Sequence, residues 1–365
     1  MVVTEVNMIG VHVNHRGDWV FVQIHTDAGI HGLGELRAGK NYDLRLRRVN
    51  ELAGLLIGKD PRNIRKFFTD ALASGKDIDS MLAISALEQA LWDISGKALG
   101  VPVHSLLGGR CRDEIRLYAN INRASTDRSP GRFAQLAKAA VSDGFDAVKL
   151  APFDGMPSGI DNAKDAHAGI ECMEAVREAV GAKVDVLIDC HSHFTPRGAL
   201  SLADALRDLD LYWFEQPIQE DNLTDMIEAN RSCGLRTAGG EQRRLRQGFT
   251  ELMGTSAMDI IMPDVTIVGG IGELVRVAEM AEAWGIPTAP HGPFGPITIA
   301  SGVQAMAGQP GFLILEYGYG EVPWRRELTL PQEEIAHGRI HLTDRPGLGF
   351  ELNWDVVEKH RVELV

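Results

Sequence analysis

A chain of 365 residues is too long for one small core and too short for three ordinary domains, so one large barrel with a modest second unit is expected. Hydrophobic residues at 44% and charged residues at 24% are the proportions of a folded globular protein and exclude a disordered one. Lysine and arginine number 37 against 50 aspartates and glutamates, and the net charge of −13 argues against nucleic acid or an anionic membrane as partner. An anionic substrate would be repelled too, unless local cations or a bound divalent metal overcame the global field.

The first ten residues lack the basic segment, apolar run and cleavage site of a secretory leader, and no 18 apolar residues occur in a row, so a cytoplasmic protein is expected. Cys111, Cys172, Cys190 and Cys233 are scattered without C-x-x-C spacing and read as reduced thiols.

Residues 1 to about 35 alternate as strands do, in Val11-His12-Val13, in the run 19–24 and in Gly32-Leu33-Gly34-Glu35, and predict an antiparallel opening sheet. Helical spacing follows over 42–57, 64–72 and 78–98, the last placing Leu82, Leu87, Leu91 and Ile94 on one face before Gly100-Val101-Pro102 ends it. From Ile115 the pattern changes to short apolar runs with helical stretches between them, at 115–119, 147–150, 184–188, 212–214, 236–238, 259–262, 286–289 and 312–315. Eight such runs predict a parallel α/β barrel, whose active site collects at the strand ends. The tail returns to loops and short strands around 339–342 and 349–352, expected to fold back onto the opening sheet.

Three carboxylates occupy corresponding strand ends: Asp189, then Glu215 and Glu241, each 26 residues after the one before, about one βα unit. Singly, each would read as an ordinary salt bridge. Together they would repel one another, and a hard divalent cation resolves the conflict; an all-oxygen set suits Mg²⁺ better than Zn²⁺. The next two runs end in Asp264 and His291. An aspartate bonded to one ring nitrogen fixes the tautomer and raises the basicity of the other, which makes a general base. Lys149 and Glu316 end the second and eighth runs; the lysine could orient a substrate carboxylate, and the glutamate, if protonated, could donate a hydrogen bond to it. His191, two positions past Asp189, reads as a general acid beside the metal, and His193 as an exposed neighbour.

The ordered set Lys149, Asp189, Glu215, Glu241, Asp264, His291 and Glu316 resembles the enolase superfamily, and within it the mandelate racemase subgroup. Gly32-Leu33-Gly34-Glu35, Leu106-Leu107-Gly108-Gly109 and Pro346-Gly347-Leu348-Gly349 extend the resemblance over nearly the whole chain. The resemblance implies a modified (β/α)₇β TIM-type barrel with an α+β cap: residues 1–112 as cap, 113–322 as barrel and 323–365 returning to the cap. It implies Mg²⁺ on Asp189, Glu215 and Glu241, a substrate carboxylate polarised by that ion, His291 supported by Asp264 as the base that takes the α-proton, and a symmetric homo-oligomer. A Lys or His base paired with Mg²⁺ is a general property of that superfamily rather than a deduction from this sequence.

Departures narrow the reaction. Where the racemase has a second lysine after the one matching Lys149, this chain has Ala151, so two-face proton exchange is not expected. His191 resembles the acid of galactonate dehydratase-like members, which protonates the departing β-hydroxyl. Dehydration of a sugar acid to a 2-keto-3-deoxy acid is the leading expectation, ahead of an epimerase or cycloisomerase and of a barrel that binds an acid sugar without turning it over. A zinc hydrolase is disfavoured by the missing His-x-His near the first barrel strand. Specificity is expected from the cap loop His15-Arg16-Gly17-Asp18, the stretch after Glu35, and Asn120, Asn122 and Arg243.

Overall fold

A computed structural model describes residues 1–39 and 41–364. Strands β1 (Val3–Asn14), β2 (Gly17–Thr26) and β3 (His31–Leu36) form the antiparallel opening sheet. Its two faces go to two cores, as the strand period of two demands: Val20, Val22 and Ile24 pack inside the cap, while Trp19 and Phe21 join the barrel's outer core. Helices α1 (Tyr42–Ala53), α2 (Ile64–Leu72) and α3 (Ile78–Leu99) cover the sheet. The first is shorter than its sequence pattern, because Ile57 leaves the helical path to bridge Val3. Asp77 accepts the Ser80 N–H to open α3, and Gly100 closes it at φ 70°, as the left-handed cap requires.

Gly32 and Gly34 explain why β3 lies so close to α3. A Cβ on either would stand 2.2 Å from the Ala90 carbonyl oxygen or 1.9 Å from that of Ala86, so only glycine fits. The contact delivers Glu35 to the barrel, where its carboxylate accepts the N–H groups of Gly295 (2.6 Å) and Thr298 (2.8 Å) at the start of the helix Pro296–Met306. Glu88 of α3 likewise accepts the N–H groups of Ile271 and Gly272, at the start of the helix Ile271–Ala283. Two buried acids of the cap thus cap two barrel helices.

The parallel strands are β4 (Glu114–Asn120), β5 (Ala147–Leu150), β6 (Asp185–Asp189), β7 (Leu211–Glu215), β8 (Thr237–Gly239), β9 (Ile260–Ile261) and β10 (Leu315–Gly318), with β10 pairing back onto β4. Residues 286–289 fill the place between β9 and β10 through bridges from Thr288 to Ile261 and to Phe312. The eighth strand begins three residues into the apolar run that marks it, so Glu316 lies within β10, opposite Tyr118, rather than beyond its end. Of the tail strands, Arg339–His341 pairs with β4 and Glu351–Leu352 with Thr329–Leu330; the segment that pairs with β1 is Arg361–Val362. Among the described residues no helix is long and apolar enough to cross a membrane.

The barrel interior is filled by Tyr118, Ala147, Leu187, Trp213, Ala238, Ile260, Met262, Ala289 and Ile314, which draw on all eight positions. This layer is what places the site. Two residues further along a strand the side chain again points inward, and the residues at that step are Asn120, Lys149, Asp189, Glu215, Asp264, His291 and Glu316. After Ala238 the step lands on Gly240, whose φ of 96° turns the chain and presents Glu241 one residue later.

Candidate active site

Lys149 stands at the centre, fully buried, with its Nζ 2.9 and 3.0 Å from the two oxygens of Glu215, 2.8 Å from Glu316 Oε1 and 3.8 Å from Asp189 Oδ2. Trp213 Nε1–H donates to Glu215 Oε2 at 2.9 Å. Glu316 also accepts from Asn120 Nδ2 (2.7 Å) and the Gly292 N–H (3.1 Å). Burial favours its neutral form, but Lys149 and His291 outweigh burial and bring its pKa to about 2. In this arrangement Glu316 accepts hydrogen bonds on both oxygens, and the neighbouring charges favour its ionised form.

Burial and the charge of Asp189 push Glu215 up to about 8, with Glu316 and Glu241 adding to the repulsion. Glu241 Oε1 accepts from Gln242, while its buried Oε2 has no hydrogen-bond donor, although His291 Nε2 is 3.0 Å away. Asp189 takes the His191 N–H on Oδ1 and faces His191 Nε2 with Oδ2, each at 2.9 Å. Glu215 thus meets Lys149, Asp189 meets His191 and Glu241 lies nearest His291, and among the described residues no group of three or more His, Cys, Asp or Glu stands in a ready-made metal-holding arrangement. The chemistry of the set still suits a hard divalent ion: three buried oxygen donors from adjacent barrel positions, one pushed toward protonation by its neighbours and one with an oxygen left without a donor.

His291 Nδ1 lies 2.9 Å from Asp264 Oδ2, and Asp264 Oδ1 is fixed by the N–H and hydroxyl of Thr266, both at 2.7 Å. The dyad is buried, and its other ring nitrogen turns to Glu241. Burial works to lower the His291 pKa, but the charges of Glu241 and Glu316 and the bond to Asp264 prevail and raise it to about 9. Arg37, in the stretch after Glu35, reaches from the cap to within 3.5 Å of Asp264 Oδ2. His191 is raised to about 11, chiefly by the charge of Asp189, with Asp154 on its other nitrogen adding to the effect.

The remaining candidates divide. Asn120 enters the site through Glu316. Asn122 instead accepts the Ala151 N–H at 2.6 Å and shapes the loop after β5. Arg243 turns away to the Glu220 backbone, and His193 lies against the Pro157 carbonyl, half-buried rather than exposed as expected. Asp154 and Thr266 went unread in the sequence, and Arg37 was read only as part of the stretch after Glu35. Thr266 had a signal, since a threonine two residues after an acid is a common local hydrogen-bond partner; the other two depend on loops meeting in space.

Two family models cover the chain: the mandelate racemase / muconate lactonizing enzyme N-terminal domain over residues 2–108, and the enolase C-terminal domain-like model over residues 132–356. A D-xylonate dehydratase of Haloferax volcanii is 34% identical, the match covering 99% of this chain and 89% of that protein. A D-galactonate dehydratase of Pectobacterium atrosepticum is 32% identical over 93% of this chain and 90% of that protein, and a D-galactarolactone cycloisomerase of Agrobacterium fabrum 29% identical over 94% and 91%. The crystal structure of a mandelate racemase/muconate lactonizing enzyme-like protein from Rubrobacter xylanophilus superposes with a TM-score of 0.93 at 31% identity, covering 100% of this chain and 98% of that one. The chain belongs to the mandelate racemase and muconate lactonizing enzyme family of the enolase superfamily.

Proposed function

We propose that this protein is a hydro-lyase that dehydrates a sugar acid with the help of Mg²⁺. One observation carries the reading: the two histidines stand at opposite sides of the barrel. His191 follows β6, the third barrel position, and His291 follows residues 286–289, the seventh; in a ring of eight these face each other. A substrate between them meets a base at one end and a proton donor at the other, as elimination requires. The single base, with Ala151 in place of a second lysine, supports elimination over two-face exchange. Relatives that carry dehydratase names support the same class.

His291, held by Asp264, takes the proton from C2, and His191 gives a proton to the hydroxyl leaving C3. The enol product then tautomerises to the 2-keto-3-deoxy acid, taking one solvent proton at C3. Lys149 holds the reacting carboxylate and the charge that builds on it. Asn120 and Gly292 keep Glu316 in place beside His291. Asp189, Glu215 and Glu241 would hold Mg²⁺, which supplies a Lewis acid for the substrate carboxylate. Base catalysis contributes about 10²–10⁴-fold against the roughly 10⁶ or more expected of an enzyme, so charge stabilisation must supply the remainder. We further propose the cap and barrel boundaries at residues 112 and 322.

The test is a panel of diastereomeric aldonic and aldaric acids incubated with the protein and Mg²⁺, with semicarbazide detection of keto acids. At least one acid is expected to give product, EDTA to abolish it and Mg²⁺ to restore it. Solvent deuterium entering C2 with no keto acid formed would favour an epimerase instead, and silence across the panel would count against dehydration.

A further inference from the structure

Asp154 has no part in the chemistry above, yet it is bound to one of the two histidines that carry it. Its Oδ1 lies 2.5 Å from His191 Nδ1, while Oδ2 lies 3.0 Å from Arg128 Nη2 and 3.6 Å from Arg16 Nη2. The loop that bears it is built rather than loose: Asn122 accepts the Ala151 N–H, Arg128 donates to the Ala151 carbonyl, and Phe153 packs edge-on against Phe194 at 4.9 Å. Arg16 comes from the turn between β1 and β2 in the cap, and it also donates to the Asn122 carbonyl at 3.4 Å. Cap, β4 loop, β5 loop and β6 loop thus meet on one carboxylate.

His191 needs such a holder. Its φ of 42° and that of Ser192, 57°, are left-handed values that non-glycine residues adopt at a cost and keep only where surrounding contacts impose them. An imidazole with a carboxylate on Nδ1 keeps its hydrogen there and turns Nε2 toward the site, here 2.9 Å from Asp189 Oδ2, the same logic as the pair formed by Asp264 and His291. The barrel therefore holds two Asp–His pairs, one beneath each histidine.

We propose that Asp154 is the positioning residue for His191, and that Arg16 couples this pair to the cap, so that the proton donor is set only while the cap hairpin sits on the barrel. The inference rests on the dehydratase reading for the step it serves, and on geometry alone for the pairing itself.

Asp154→Asn separates the two half-reactions. Its dehydration rate should fall about 10²-fold, as for misplacement of a reacting group by an ångström, with KM changed less than about threefold. Exchange of the C2 proton with solvent deuterium, the work of His291, should persist. Arg16→Gln should show the same imbalance in weaker form, and Arg16→Lys should restore most of it. Dehydration at the wild-type rate, or equal loss of dehydration and exchange in a variant that melts like the wild type, would overturn the proposal. A second readout needs no turnover: in protein with ¹⁵N-labelled histidine, the His191 Nδ1–H resonance should be protected from exchange and lost in Asp154→Asn. Its persistence in the variant also overturns the proposal. That spectrum stays decisive if the wild type is silent with every acid, an outcome that would sink the dehydratase reading alone.

Discussion

His291→Asn is expected to lower kcat by about 10²–10⁴-fold or more while leaving KM near its wild-type value, measured on whichever acid gives the best turnover. Asparagine keeps a polar group of similar reach toward Asp264 but cannot accept a proton. Because the ring is buried between carboxylates, no water-borne base has an easy route to replace it. Loss of kcat and C2 exchange together is the signature of a missing base. Loss of dehydration with exchange intact would instead move the base elsewhere in the site.

Lys149→Met should have the second large effect, and on two quantities at once. The ammonium sits within 4 Å of Asp189, Glu215 and Glu316, all buried, and its removal leaves three acids facing one another. Breaking a buried pair by removing one partner costs about 3–5 kcal/mol, because the remaining charge has no solvent to turn to. Urea unfolding without divalent metal should show a loss of that size, alongside a collapse of turnover. Saturating Mg²⁺ should return part of the stability, about 2.7 kcal/mol at a hundred times its Kd, because the ion binds the folded state alone. A variant as stable as the wild type in EDTA would mean that the acids share protons rather than charge.

Much of this architecture is visible in the chain before folding, for a simple reason. Strand side chains alternate, so the inward residues Leu187 and Trp213 announce Asp189 and Glu215 two places on, and the same step leads from Ala289 to His291. Even the irregular member is legible, since Gly239 and Gly240 before Glu241 mark a chain reversal. What sequence spacing does not show is which charge each acid meets. Spacing aims three acids at one region, and only the fold shows that Glu215 meets Lys149, Asp189 meets His191 and Glu241 faces His291 there. Glu316 illustrates the same limit: its place was readable, but its ionisation depends on Lys149 arriving from β5. Asp154 was invisible because its partners come from loops after two other strands and from the cap, joined by no periodicity. The eighth strand was misplaced by three residues because Phe312 and Leu313 are as apolar as a strand yet only bridge to Thr288.

The claim on which the account rests is that His291 takes the C2 proton of a sugar acid. Proton NMR in D₂O, with Mg²⁺ and the best substrate of the panel, tests it most directly. The C2 signal should vanish as a keto acid carrying one deuterium at C3 forms, and neither change should occur with His291→Asn. Product that retains the original C2 hydrogen, or a His291→Asn enzyme that removes it at the wild-type rate, would contradict the account.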